Sequence, residues 1–590
     1  MGLTRGWKDI SKAWLELAGK KRSPAMLGVF RILFFSLLGV EVFQFWQAEE
    51  LIFNFHFNEE VGFWGRADWH NDLLFFFWGA SLFLIVVGWP TKLFRILNWI
   101  FCVSVFQRVH FFEYHMFYAW TGVSFLSIFL HVNNAFSVHV VWEQMKAARQ
   151  REGQAEFGVP LIDFILILLV AVGFVYADSV LYKLGDSGWI QGYGLSRALA
   201  QPFASTGSFL GLSTLKFFGF VTLAFEALFV FVFIPALLRP RLGFALAIIG
   251  MVLHLGIAWY FPIPLFGIGY AVVYLLFLSS KDKAPYKFIP TSAGRLIFYF
   301  DNECPLCRQT VAFLQVMDLL SAISFVPVQQ LEIGGEKRDT LLRDIHVQWS
   351  GREKMWLGAD AYAWVVLVCP LLWGLIPFLW LWPLNKIARG VYKEIALRRG
   401  VERCTFESCS LPLSHDSKDW FKLLIGFDRS ELEVKAKSIL LLVLMVGQIL
   451  ISSSSGILSA SSAVSGVVEP PLRVFFGLTH HPVFMSGHFS SQTHIGRLKC
   501  EKGDVVQYYP SINDRVQTQG GFLWVAWTFR AQNFQSDPKK EMLRRWMSYY
   551  SLTHNCDTVV YENALLEGFK NEDIARSIIS PWKPSELTQQ

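Results

Sequence analysis

Long apolar runs, separated by short polar connections, fill the first half of the chain and leave it few ways to fold. They are Met26–Trp46, Asp72–Val87, Ile96–Val109, His115–Val132, Leu161–Val180, Thr214–Leu238, Leu242–Trp259 and Leu265–Leu278. A run of about twenty apolar residues matches the hydrocarbon thickness of a bilayer, where a helix satisfies every backbone N–H and C=O internally. Ser438–Ile451 adds a shorter run, a last span or re-entrant segment, followed by the Ser/Ala/Gly-rich Ser452–Ser465. Composition agrees: 53% of the 590 residues are hydrophobic and 17% charged, and the 55 Phe and 23 Trp suit aromatic belts at two interfaces. The expected fold class is a polytopic α-helical membrane bundle with appended domains, and its first partner is the lipid bilayer.

Orientation follows from the basic residues. Lys20-Lys21-Arg22 precedes a run long enough to span, so it reads as a start-transfer helix rather than a cleavable signal. Lys92 and Arg95, then Lys146, Arg149 and Arg151, then Arg239 and Arg241, then Lys281, Lys283 and Lys287 follow alternate runs. These predict a cytoplasmic N-terminus in a bacterial inner membrane, with Lys183 on the periplasmic face (lumenal in a eukaryote). A net charge of +6 over this length gives no nucleic-acid signal. The length divides into a bundle over 1–283, a soluble segment over 284–429, a last membrane segment and linker over 430–468, and a small α+β domain over 469–590. In that last domain Val505–Tyr509 and Phe522–Phe529 alternate polar and aromatic residues.

Ionisable residues at membrane depth must face the bundle interior and find partners. They are Arg31, Glu41, Arg108, His110, Glu113, His115, Glu226 and His254, and structural ion pairing is the expectation for Arg31, Glu41 and Glu226. Lys183 lies in Tyr182-Lys-Leu-Gly-Asp-Ser-Gly-Trp-Ile-Gln-Gly-Tyr193, where Leu161–Val180 should leave the bilayer. Walled by Tyr182, Trp189 and Tyr193, it could lose hydration and serve as a base. It also fits a snorkelling lysine with its charge at the headgroups, removable for under about 0.5 kcal/mol.

Lys183-Leu184, Trp189-Ile190 and Gly192-Tyr193 resemble the catalytic-base segment of the vitamin K-dependent γ-glutamyl carboxylases, within the HTTM family of transmembrane proteins. The resemblance covers roughly 20–280. It implies that Lys183 deprotonates a reduced quinone of the vitamin K type. Reaction with O2 then makes a strong base that removes a γ-proton from a peptide or protein glutamate, and CO2 adds. It further implies active-site roles for His115, within Tyr114-His-Met-Phe-Tyr118, and for His254, ahead of Phe266-Gly-Ile-Gly269, and a quinone site formed by Tyr182, Trp189, Gly192 and Tyr193. Tyr182 and Gly185 depart from that family's pattern, which places glutamate carboxylation in more doubt than quinone oxygenation.

Further on, Leu296–Phe300 reads as a buried strand, Asp301-Asn-Glu-Cys304-Pro-Leu-Cys307 as a turn, and Arg308–Leu320 as a helix. A cysteine at a helix N-terminus meets unpaired N–H groups that favour thiolate, and Pro305 in the first turn costs no hydrogen bond. The segment resembles the DCC family of thiol-disulfide oxidoreductases over about 294–400, including Gly358-Ala-Asp-Ala361, Pro370–Pro383 and Tyr392–Ala396 with Arg398. That implies a thioredoxin-like α/β domain, Cys304 attacking, Cys307 resolving, and a thiol reductant as partner. Ala361–Trp382 is apolar enough to span, but the resemblance implies an amphipathic, partly buried helical segment there, and Pro370, Pro377 and Pro383 fit a straight span poorly. A rival use of Cys304 and Cys307 is structural zinc with Cys404 and Cys409, but no tightly bound metal is expected. Thr479-His-His-Pro482 with His488 reads as surface histidines. Two other classes stay open: a membrane-tethered thiol oxidoreductase whose bundle binds quinone, and a transporter or scaffold with an accessory redox domain.

Overall fold

The protein is described by a computed structural model over residues 2–47, 49, 68–108, 115–150, 158–199, 210–261, 263–279, 295–398, 429–452, 462–483, 494–509, 547, 551, 554–565 and 575–582. The bundle begins with α1 (Gly2–Ala18), α2 (Ala25–Gln47), α3 (Asp68–Val86), α4 (Leu93–Arg108), α5 (His115–Ser127) and α6 (Val138–Gln150). Next come α7 (Leu161–Leu168) and α8 (Phe174–Leu184), joined by a π turn at Leu169–Gly173, and the short α9 (Ser187–Ile190) and α10 (Gly194–Leu199). It closes with α11 (Leu212–Leu238), α12 (Pro240–Tyr260) and α13 (Pro264–Tyr274).

Among the described residues, five helices are long and apolar enough to cross a membrane: Ala25–Gln47, Leu161–Leu184, Leu212–Leu238, Pro240–Tyr260 and Ser430–Ser452. Asn71–Val86, Leu93–Phe106 and Pro264–Leu278 are shorter apolar helices, and the run His115–Val132 is helical only as far as Ser127. The helix Leu161–Leu184 is the hub, with 83% of its apolar window buried. By contrast Phe83, Phe231, Val252 and Trp259 stand 65%, 78%, 66% and 78% exposed on the outer faces, an arrangement suited to hydrocarbon rather than water.

Arg31 is fully buried, and its partners are backbone carbonyls rather than the carboxylate expected for it. It donates to the oxygens of Val132, Ala135 and Phe136 and, at 3.3 Å, of Val86. The guanidinium thereby caps the C-terminal end of α3, where orphan carbonyls and the helix dipole favour a cation, and ties it to the loop between α5 and α6. Other contacts gather at the same end. A two-residue ladder pairs β1 (Lys21–Arg22) with β2 (Val159–Pro160), Arg22 donates to Leu237 O at 2.5 Å, and Ser279 Oγ donates to Ser23 O. Lys183 therefore lies at the opposite end, about 33 Å along the helix from Leu161.

Beyond the bundle comes a four-stranded sheet of order β4-β3-β5-β6, built from β3 (Leu296–Phe300), β4 (Ile323–Pro327), β5 (His346–Trp349) and β6 (Met355–Leu357). β3 runs parallel to β4 and antiparallel to β5. The crossover between the parallel pair carries α14 (Pro305–Met317), and α15 (Gly335–Arg343) precedes β5. This is the strand, dithiol turn and helix order expected from the sequence. After α16 (Gly358–Val368), the apolar proline-rich stretch breaks into a 3₁₀ turn, α17 (Ile376–Trp380) and α18 (Leu384–Arg398), bent by 102°. It packs on the sheet through Trp364 and Trp380 rather than forming one straight rod.

Helix α19 (Arg429–Ser452) returns along the bundle, and α20 (Ser462–Phe476) enters it only partway. The chain reverses at Gly477, whose φ of +69° suits glycine; a Cβ there would meet Tyr118 O at 2.1 Å. The final sheet, of order β10-β9-β7-β8, is wholly antiparallel: β7 (His494–Lys502), β8 (Val505–Tyr509), β9 (Thr558–Leu565) and β10 (Ala575–Trp582). Cys500 and Cys556 form a disulfide across it, 56 residues apart. That separation follows no spacing rule, which is why the sequence did not single out the pair. Cys404, Cys409, His110, Glu113, His488 and Phe522–Phe529 fall outside the described residues, as does the side chain of Arg108.

Candidate functional site

Lys183 is not at the surface. Its side chain is 2% exposed and ion-paired with Glu226 of α11, with Nζ 2.6 Å from Oε1 and 2.8 Å from Oε2. The snorkelling expectation therefore fails: the helix extends past Val180 to Leu184, which holds Lys183 inside the bundle. Trp189 supplies the aromatic wall, with Nζ 4.4 Å from its ring. Gly194 makes room for that indole, since a Cβ at 194 would meet the Trp189 ring at 2.2 Å. Asp186 caps the short helix carrying Trp189 by accepting from Gly188 N and Trp189 N.

The pair borders a largely apolar cavity of about 70 Å³ between α8, α11, α12 and α13, lined also by Ser179, Tyr176, His254 and Tyr270. Ser179 Oγ donates to Glu226 Oε2 at 3.3 Å. Tyr176 OH meets His254 Nε2 at 2.8 Å and Tyr274 OH at 2.7 Å, and His254 stacks on Tyr270 at 4.9 Å. His254 Nδ1 and Tyr270 OH have no hydrogen-bond partner among the described residues. A buried polar atom left in that state costs about 1–3 kcal/mol, so a site keeping two of them is suited to a ligand that supplies the missing bonds.

The remaining residues singled out from the sequence lie elsewhere. Tyr182, Gly192 and Tyr193 do not line the cavity. Tyr182 OH meets His480 Nδ1 at 3.1 Å, and the Tyr193 ring lies under Lys216 Nζ at 3.9 Å. His115 is also outside the lining, with His481 Nδ1 3.0 Å from its Nδ1. His481 is 2% exposed, so the surface expectation for the pair 480–481 is corrected. Burial holds its imidazole well below the ordinary range, and His115 and His480 nearby act in the same direction. His481 N also donates to Asp178, and Val483 reaches the cavity wall. The segment after α20 thus closes over the bundle beside Lys183. Sequence reasoning missed it because no motif joins residue 115 to residue 481.

The second centre sits at the other end of the molecule. Cys304 is the N-cap of α14, and its sulfur accepts from Cys307 N at 3.4 Å. Asp301 braces the turn, with Oδ1 accepting from Glu303 N at 2.9 Å and from Gln329 Nε2 at 2.7 Å. Cys304 and Cys307 are 3% and 1% exposed, packed into the domain's own apolar core, and α14 lies against α6. Arg308 ties the two together: Nε donates to Ala148 O at 2.8 Å, while Nη1 holds the turn through Asn302 O and Glu303 O. Cys369, also in this core, is pushed up to about 12 chiefly by burial, with Asp318 adding to the shift, so it stays a thiol and is a poor nucleophile. Gly358 packs under the Tyr392 ring, whose hydroxyl donates to Asp344. No group of three or more His, Cys, Asp or Glu residues able to hold a metal exists among the described residues.

No curated protein and no solved structure matches the chain. Residues 298–401 match the family model of DCC1-like thiol-disulfide oxidoreductases. That match spans the strand, the Asp301–Cys307 turn and the downstream helices just described, so this part of the chain is a thiol-disulfide oxidoreductase-like domain.

Proposed function

We propose that the protein is an integral membrane oxidoreductase with two separate centres. In the bundle, Lys183 deprotonates a hydroquinone of the vitamin K type for reaction with O2. At the far end, the DCC-like domain performs thiol-disulfide exchange with a thiol reductant. The observation carrying the first half is the buried Lys183–Glu226 pair beside an apolar cavity that also holds two unmatched polar atoms, His254 Nδ1 and Tyr270 OH. If Glu226 takes up the ammonium proton, the free amine can accept one from a ring hydroxyl, and the resulting anion stays against the ammonium. His254 and Tyr270 are placed to hold the ring. The cavity admits one oxygenated edge of such a ring, which is the reacting part.

Hydroquinone plus O2 yields quinone epoxide plus water. If that reaction delivers a strong base to a peptide or protein glutamate, CO2 adds at the γ-carbon and a proton is released. With reduced menaquinone or phylloquinone, O2 and bicarbonate, the purified protein in nanodiscs is expected to form the epoxide, read by mass spectrometry. A bound quinone that returns unchanged, with no O2 consumed, would leave only the second reading. In that reading the bundle binds quinone as the electron acceptor of the dithiol, and the family match at 298–401 is what favours it.

The about 33 Å between the two ends of the bundle argues against a direct relay. The Cys500–Cys556 disulfide suits an oxidising compartment on the Lys183 side, and a dithiol centre suits a reducing one. We therefore assign the DCC-like domain to the cytoplasmic face of a bacterial inner membrane and the C-terminal sheet to the periplasm. In intact cells a membrane-impermeant maleimide should label Gln191→Cys, beside the exposed Ile190, and spare Lys12→Cys on α1. Labelling of both, or of neither, contradicts the sidedness.

A further inference from the structure

α20 packs against α19, α5 and α4, and the chain turns back at Gly477, so the helix goes no deeper between α4 and α19 than Phe476. Its tip packs against α5, with Phe476 4.7 Å from Phe125 and the glycine pair Gly122 and Gly477 bringing the backbones together. Trp99 of α4 donates to Phe475 O at 2.8 Å, which fixes the depth at which α20 stops. Beyond Phe125, toward the end that holds α1 and α6, the gap stays open as a cleft of about 560 Å³. Phe125, Phe129, Leu130 and Leu440 form its apolar walls, and Phe129 is 46% exposed.

The mouth of this cleft is polar and mainly cationic. Lys92, Arg95, His131, His139 and Lys437 line it against a single lining carboxylate, Glu433. Lys437 is bonded to Asp163 Oδ1 at 2.6 Å and to Glu433 at 2.5 Å, and Asp163 also meets His131 Nδ1 at 2.8 Å. This network holds the basic groups in place around the opening. Arg95 is fixed by the carbonyls of Ser127 and Leu130, and Lys92 is exposed at the rim. An apolar slot capped by fixed cations at one end matches a molecule with an anionic head and a hydrocarbon chain.

We propose that the cleft between α4 and α19 is a binding site for an anionic phospholipid, its phosphate at Lys92 and Arg95, since both ring nitrogens of His131 are taken by Asp163 and Glu433, and one acyl chain along Phe125, Phe129 and Leu440. The chain lies beyond the depth at which α20 stops. The proposal does not depend on the chemistry at Lys183. It gives the re-entrant helix a reason: stopping at Phe476 leaves a lipid-sized gap beside the α6 helix that carries the dithiol domain.

The test is binding of 1-acyl lysophosphatidylglycerol to the full-length protein in neutral detergent, followed by native mass spectrometry and microscale thermophoresis. The wild type should retain it at least about tenfold more tightly than lysophosphatidylcholine of the same chain length. Lys92→Glu, a substitution at an exposed rim residue, should weaken it about tenfold, while Lys12→Glu on the same end of the molecule should not. Leu440→Trp, which fills the slot, should weaken both lipids. Equal affinity for the two headgroups, or an equal effect of Lys92→Glu and Lys12→Glu, overturns the site. Inorganic phosphate competing at the same concentration as the lipid would assign the cations to a soluble phosphate and overturn the lipid.

Discussion

Lys183→Ala should abolish hydroquinone oxidation and destabilise the bundle together. Glu226 would be left as a buried carboxylate held by Ser179 alone, and breaking a buried ion pair at one partner typically costs about 3–5 kcal/mol. A surface lysine would cost under about 0.5 kcal/mol, so the burial of Lys183 changes the expected size of the effect roughly tenfold in energy. The two consequences can be separated. Lys183→Met with Glu226→Leu removes both charges, keeps the volume close, and should recover most of the stability, since replacing a buried pair by apolar groups is often neutral. Its melting temperature should approach that of the wild type while epoxide formation stays absent. A stable double variant that still turns over hydroquinone at the wild-type rate would reduce the pair to a structural strut.

In the DCC-like domain, Cys304→Ser should lower disulfide reduction by roughly a thousandfold or more, because the reaction runs through the sulfur that α14 presents at its N-terminus. Cys307→Ser should instead trap a mixed disulfide through Cys304, visible as a mass adduct. The docked position adds a quantitative expectation. Both sulfurs are at most 3% exposed, so exchange requires them to be uncovered, and the expectation is that the domain lifts from α6 to do it. Arg308→Ala removes the bond from Arg308 Nε to Ala148 O and should raise the alkylation rate of Cys304 about tenfold, the equivalent of roughly 1.4 kcal/mol of docking contact. An unchanged rate would mean that some other contact governs access to the dithiol.

The parts of this architecture that were legible in the sequence are those written in local pattern. The long apolar runs of the bundle are helical over most of their described length, because length and hydropathy are properties of contiguous residues. The strand, Asp301–Cys307 turn and helix likewise appeared in order, because each depends on residues within a few positions. What stayed hidden depends on contacts across long separations. Glu226 is 43 residues from Lys183, yet it turns an interfacial lysine into a buried one. Arg31 looked like half of an ion pair, and only the arrival of loop carbonyls more than a hundred residues away shows that its partners are backbone. His481, 366 residues from His115, was read as a surface residue because the re-entrant path of α20 leaves no trace in hydropathy. The Cys500–Cys556 bridge was missed for the same reason.

The π turn at Leu169–Gly173 carries a separate lesson about the central helix. Hydrophobic length and angular phase are independent quantities, and only the first decides whether a segment enters a bilayer. One widened turn absorbs an extra residue within nearly the same arc, so everything after it lies about 100° behind where an unbroken α-helix would place it. Tyr176, Ser179 and Lys183 all lie beyond that turn and all face the cavity. The side of the helix on which the chemistry-bearing residues emerge is therefore set a turn or more before the first of them. The same residues wound as a regular α-helix would cross the membrane as well as before, with the lysine turned toward a different neighbour.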